Sequence, residues 1–145
     1  MGNILLQVST SSVTASSEAS NYEAGNAIDG DPKTIWHTEF GADAPKFPHS
    51  LAIEFVRPIA ITGCKFLPRQ DGHHNGFIKS YAVYVSRDGK DWDLPVAQGS
   101  FGNSAVPNTV VFDHPVQAGY LKFVALSGFD DKPFASLAEL EVMQP

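Results

Sequence analysis

Leu51-Ala52-Ile53-Glu54-Phe55-Val56 alternates as a half-buried strand does, with Leu51, Ile53 and Phe55 on one face. Pro58 follows and is expected to end that strand, because proline takes a donor out of the ladder. The run from Ile59 to Leu67 is mostly apolar with Gly63 inside it, the pattern of a sandwich-core strand carrying a bulge. Downstream, Phe77 to Ser86 is rich in Tyr and Val and reads as a long strand. Arg87-Asp88-Gly89-Lys90 is a hairpin turn signal, with Trp92 after it. Thr109 to Phe112 and Tyr120 to Leu126 are two further strands. In Ala135 to Met143, Leu137, Glu139, Glu141 and Met143 share one face and Ser136, Ala138, Leu140 and Val142 the other; Leu140 and Val142 are assigned to the core. Upstream, Val8 to Ser20 is dominated by Ser, Thr and Ala and reads as an edge strand or arm. Tyr22 to Ile28 has room for one short helical turn, and Thr38 to Ser50 reads as a long surface loop. Many short strands separated by Gly/Pro turns predict an all-β, antiparallel β-sandwich or barrel. Sandwiches carry loops at two ends, so those holding Trp36-His37, Arg69 to Gly76 and Phe129 to Phe134 are expected to meet at one of them.

The chain has 145 residues, no internal repeat and no linker, which predicts one domain around one core. A net charge of −6, with no cluster of Lys and Arg, argues against nucleic acid and against anionic membrane surfaces. No apolar run approaches the roughly 20 residues needed to span a bilayer, and Met1 to Leu6 lacks the basic region of a signal peptide. The single cysteine, Cys64, has no internal partner and reads as a buried, inert thiol.

Three stretches carry chemistry. In Asn26-Ala27-Ile28-Asp29-Gly30-Asp31-Pro32-Lys33-Thr34-Ile35-Trp36-His37-Thr38, the residues Asp29, Asp31 and Thr34 offer hard oxygens on a backbone that turns at Gly30, which suits Ca²⁺. The same residues also make a good turn without a metal. The segment is not an EF-hand, since Pro32 and Lys33 interrupt the spacing and Phe40 stands where a bidentate Glu is wanted. Trp36 reads as a core residue capping one end of the fold. In Leu67-Pro68-Arg69-Gln70-Asp71-Gly72-His73-His74-Asn75-Gly76, the planar donors of Arg69 and the amide of Asn75 suit an array of sugar hydroxyls. A solvated hairpin turning at Asp71-Gly72 accounts for that composition equally well. Phe129 and Phe134 flank a polar loop, either as a stacking platform or as that loop's own anchors. His73-His74 with His37 and His49 makes no zinc motif, and no nucleophile triad, phosphate loop or carboxylate couple stands out. The chain is therefore not expected to be an enzyme.

Together, Ser16-Ser17-Glu18, Ala27-Ile28-Asp29-Gly30-Asp31, Thr34-x-Trp36-His37-Thr38, Leu67 to Gly72, Asn75-Gly76, Tyr84 to Gly89 and Ala135 to Leu140 resemble the discoidin, or coagulation factor V/VIII C-type, domain. The chain looks most like the bacterial family 32 carbohydrate-binding modules, over a core of about residues 8–143. The resemblance implies a jelly-roll sandwich, a structural Ca²⁺ and a shallow sugar site at one end. It implies calcium ligation by Asp29, Asp31, Thr34 and Glu139, with the carbonyls of Ala27 and Ala138. It implies a carbohydrate site of His37, Arg69 and Asn75, with Phe134 stacking on the sugar and Phe129 in reserve. The extra bulk of His73-His74 departs from some relatives. So does the lone Cys64, where vertebrate members join their ends by a disulfide.

The expected function is a non-catalytic module for galactose, N-acetylgalactosamine or N-acetyllactosamine ends of glycans. It would target an attached glycoside hydrolase, the partner in cis, within a larger exported bacterial protein that is extracellular, cell-surface or periplasmic. The alternative is a protein- or lipid-binding adhesion module, with the missing apolar spikes counting against lipid. Neither nucleic acid nor membrane insertion is expected.

Overall fold

The two runs flanking Pro58 are one strand. In the computed structural model, which describes residues 4–5 and 10–145, His49–Leu67 forms β4, after Ile4–Leu5 (β1), Thr10–Ala15 (β2) and Trp36–His37 (β3). Ser80–Ser86 (β5), Ala97–Ser100 (β6), Asn108–Ala125 (β7), Ser136–Leu137 (β8) and Glu139–Gln144 (β9) follow. The expectation that Pro58 ends a strand is thus corrected. The β4–β7 register lapses between Glu54 and Ile59, so a missing N–H there breaks no rung. The strands expected at Thr109–Phe112 and Tyr120–Leu126 are likewise joined as β7.

The first half of β4 lies between β2 and the second half of β7; its second half lies between β9 and the first half of β7. Both long strands therefore change layers at their middles. One antiparallel seven-stranded sheet, ordered β1-β9-β4-β7-β5-β6 with β2 beside β4, folds over into the two layers of the expected sandwich. Among the described residues the only helix is the 3-10 turn Ala24–Ala27, inside the stretch where a short turn was expected.

Leu51, Ile53 and Phe55 are buried, as their alternation required, and Ile61, Cys64, Phe66, Leu140 and Val142 face them from the other layer. Phe66 and Phe123 meet with ring centroids 4.8 Å apart. Each such side chain stabilises the fold by about 1.5–3 kcal/mol on burial. The expected bulge is present as a register shift between Ile61 and Gly63. A Cβ at Gly63 would strike the Val110 carbonyl oxygen and stand 3.1 Å from Val111 Cα. Burial pushes the Cys64 thiol up to about 12, which makes it inert.

Three smaller expectations change. The strand assigned to Phe77–Ser86 begins only at Ser80. Arg87 to Lys90 does turn, with Asp88 accepting from the amides of Lys90 and Asp91, but pairing resumes only at Ala97. The closing stretch divides at Ala138, whose amide donates to Leu67 O, and Leu137 is buried along with Leu140 and Val142. The amino-terminal arm is an edge strand from Thr10; Val8 lies outside the described residues.

Because β4 and β7 double back, both ends of each emerge at the same end of the sandwich. The two-stranded sheet β3–β8 closes that end. Trp36 seals it from inside, fully buried, with Nε1 donating to Ser17 O at 2.9 Å.

Candidate functional site

His37 sits on β3 opposite Ser136 on β8. Its amide donates to Tyr22 O, the Thr38 amide donates to Ala135 O, and Thr38 Oγ1 accepts from the Ala135 amide. The histidine backbone is thus held from both sides. Its Nδ1 lies 2.6 Å from Thr38 O. A carbonyl only accepts, so Nδ1 carries the proton and Nε2 is left with a lone pair. Asn75 Nδ2 donates to that lone pair at 3.2 Å. His37 is only 3% exposed, and its burial, above all, holds its pKa below the usual histidine value.

Arg69 is 7% exposed and its donors are largely committed. Nε donates to Asp71 Oδ1 at 2.9 Å, Nη2 to Asp71 Oδ2 at 2.7 Å, and Nη1 to Asn75 O at 3.1 Å. A guanidinium has five N–H donors, so two remain for a ligand. Asp71, read from the sequence as a turn residue, is what fixes the plane of Arg69. The Arg69 hydrogen bond in turn holds the Asp71 carboxyl down at about 2.

Asn75 O also accepts from Ser136 Oγ at 3.3 Å, and the Ser136 amide donates to Gly76 O at 2.9 Å. Gly76 has φ +93°, and a Cβ there would stand 2.8 Å from Ser136 Cβ. Only glycine lets the 69–76 loop press onto β8 this closely.

An aromatic cluster adjoins the polar corner. Phe134 and Phe40 lie 5.3 and 5.4 Å from the His37 ring and 6.3 Å from each other. Tyr22 lies 6.1 Å from His37. Phe40 is 56% exposed, so a ligand can reach its ring. Sequence reasoning noted Phe40 only as a missing calcium ligand and passed over Tyr22. The available signal was an aromatic in a polar loop three residues after His37. The structure brings His37, Arg69, Asn75 and Phe134 together, and leaves Phe129 apart with its ring 5.8 Å from Lys79 Nζ. His49 serves the site indirectly: its Nε2 donates to Pro133 O at 2.6 Å and pins the loop carrying Phe134. His74 stacks on Phe77 at 4.9 Å. A fixed acceptor, fixed donors and adjoining ring faces are the groups that recognise a polyhydroxylated ring.

The second cluster lies around Gly30, which has φ +78°. Asp29 accepts from the Asp31 amide at 2.9 Å and from Thr34 Oγ1, and Asp31 accepts from the Lys33 amide at 2.9 Å. Glu139, from the start of β9, packs against this loop. It is 4% exposed, and its Oε2 is buried with no hydrogen-bond partner. Burial, then the charge of Asp29, pushes its carboxyl up to about 8. Among the described residues no three Asp, Glu, His or Cys side chains form a closed metal cage. The fit to calcium is therefore one of donor chemistry: an orphaned carboxylate oxygen beside two more carboxylates, a hydroxyl and nearby carbonyls.

Residues 12–140 match the F5/8 type C domain family model. Two solved structures of family 32 carbohydrate-binding modules from Clostridium perfringens superpose on this chain with TM-scores of 0.82. One, in complex with GalNAc-β-1,3-galactose, is 35% identical and covers 90% of this chain and 93% of its own. The other, from NanJ in complex with galactose, is 32% identical and covers 92% and 93%. A galactose oxidase of Gibberella zeae is 40% identical over 134 residues, 91% of this chain and 19% of that protein. A sialidase of Micromonospora viridifaciens is 41% identical over 121 residues, 82% of this chain and 18% of that protein. The chain thus spans about a fifth of the length of these curated relatives. The sequence motifs, the doubled-over sandwich and these matches agree that the chain belongs to the F5/8 type C, or discoidin-like, domain family.

Proposed function

We propose that this domain is a non-catalytic carbohydrate-binding module for galactose-type sugars: galactose, N-acetylgalactosamine and N-acetyllactosamine ends of glycans. The observation that carries the reading is the corner made by His37, Asn75 and the Asp71-held Arg69, beside the faces of Phe134 and Phe40. Hydroxyls at fixed angles need fixed partners. The two spare N–H groups of Arg69 donate, a sugar hydroxyl takes the place of Asn75 Nδ2 at the single lone pair of the neutral His37 Nε2 and frees that amide to donate as well, and the apolar face of the sugar lies on the rings. The galactose-type ligands of the two structural neighbours support this choice of sugar. Asp71 is committed to Arg69, so the carboxylate at the corner does not act as a general base.

A shallow site of this kind binds with Kd on the order of 0.1–1 mM, near −4 to −5 kcal/mol. Its use is to raise the effective concentration of an attached glycoside hydrolase on its substrate. Such a parent protein would work outside the cell or at its surface, where glycans are met. Among the described residues no helix is long and apolar enough to cross a membrane.

Calcium is the proposed structural ion, held by Asp29, Asp31, Thr34 and Glu139 with the carbonyls of Ala27 and Ala138. It would tie the Gly30 loop to β9, the contact at which Glu139 Oε2 is left without a partner. A glycan array with and without EDTA tests both readings. The expected result is binding confined to galactose-type ends. No sugar bound, with a protein or lipid partner recovered instead, would transfer the domain to the adhesion class.

A further inference from the structure

Phe134 has a second neighbourhood. One side of it packs toward His37; it also lines an open groove of about 780 Å³ between residues 41–47 and 126–134. That volume falls within the roughly 300–1,000 Å³ of small-molecule sites. A second ring, Phe47, lines the same groove. It is backed by His49 at 4.8 Å and lies against Gly128, where a Cβ would stand 3.4 Å from Phe47 Cζ. Lys46, Lys132, Asp130 and Asp131 complete the polar lining. Two positive and two negative groups give no net preference for a charged ligand; Lys46 supplies donors on one wall, and Lys132 with Asp130 and Asp131 supplies donors and acceptors on the other. The walls are held in place. His49 fixes Pro133, and Asp130 Oδ1 accepts from the Lys132 amide at 3.0 Å.

We infer that this groove is a second sugar subsite, taking the next residues of a neutral oligosaccharide whose terminal sugar sits at His37. This rests on the proposed function, because Phe134 joins the two sites into one path. Aromatic faces suit the apolar faces of pyranose rings, and the balanced charges suit their uncharged hydroxyls. The domain would then read a chain of sugars and not only its end.

The test is titration calorimetry of galactose, N-acetyllactosamine and an uncharged tetrasaccharide ending in N-acetyllactosamine, with the wild type and Ala42→Trp. Ala42 is an exposed wall residue, so an indole there obstructs the groove without removing a buried contact; a thermal melt confirms the fold. The tetrasaccharide is expected to bind the wild type about tenfold more tightly than galactose. Ala42→Trp is expected to lose that gain while binding galactose as before. Equal affinities for galactose and tetrasaccharide in the wild type, or a gain that survives in Ala42→Trp, overturn the subsite alone. If galactose itself does not bind, the proposed function fails and the subsite with it.

Discussion

Asp71→Ala is the sharpest test of how the site is built. Asp71 makes two charge-assisted hydrogen bonds to Arg69, at 2.9 and 2.7 Å. Such bonds are worth about 1.5–3 kcal/mol each when sheltered. Here the Asp71 side chain is 46% exposed, and screening reduces the pair's share of fold stability to about 1 kcal/mol or less. Losing it should move the melting temperature by only a few degrees. Binding should suffer more. Arg69 would keep one restraint, to Asn75 O, and its plane would no longer be set before the sugar arrives. Ordering it on binding costs about 0.5–1.5 kcal/mol, up to roughly a tenfold loss on an affinity already near millimolar. The acid limb carries a second check. The folded carboxyl titrates at about 2, below its unfolded value of 3.8, so its stabilisation is complete above that unfolded value and is lost as the pH falls toward 2. Any weakening between pH 7 and 5 therefore does not come from Asp71. The assay is titration calorimetry with galactose beside a thermal melt. Wild-type affinity in Asp71→Ala would refute the claim that Arg69 works only when held.

Arg69→Ala should abolish detectable sugar binding with the fold intact, and Arg69→Lys should rescue little because an ammonium lacks the planar fork; calorimetry reads both. Phe134→Ala should weaken galactose and N-acetylgalactosamine by a similar factor, about three- to tenfold, and preserve their order. Phe129→Ala should change neither, since its ring lies beside Lys79. Because burial lowers the His37 pKa, affinity should hold through pH 6.5 and fall at lower pH, as Nε2 takes a proton and stops accepting. Fold stability should decline over the same range, since the unfolded chain binds that proton first. Constant affinity from pH 7.5 to 5 would remove the acceptor role. EDTA in calcium-free buffer should lower the melting temperature, because an ion bound only to the folded state stabilises it by mass action. An unchanged melt would dismiss the calcium assignment.

The layers were legible because period-2 alternation reports burial directly: Leu51, Ile53 and Phe55 are all in the core. The continuity of β4 through Pro58 was not. A proline costs a strand nothing where the neighbour's register lapses, and a register is a property of two strands. For the same reason, the two halves of β7 read as separate strands. In the site, His37, Arg69, Asn75 and Phe134 were legible as motif residues and do converge. What each of them does was not. Asp71 reads as turn chemistry until its distance to Arg69 is known, and Phe40 and Phe129 are indistinguishable as loop aromatics. What separates them is that Phe40 follows His37 by three residues and sets its ring beside the imidazole, whereas the ring of Phe129 lies beside Lys79.

The most direct test of the central claim, that galactose is held by the His37, Arg69 and Asn75 corner, is a ¹H–¹⁵N titration of the labelled domain with galactose. The side-chain signals of Arg69 Nε and Asn75 Nδ2, and the amides of Gly76 and Ser136, should shift together and saturate with a Kd on the order of 0.1–1 mM. Glucose should shift them less. Shifts confined to another face of the sandwich, or none at saturating galactose, would contradict the account.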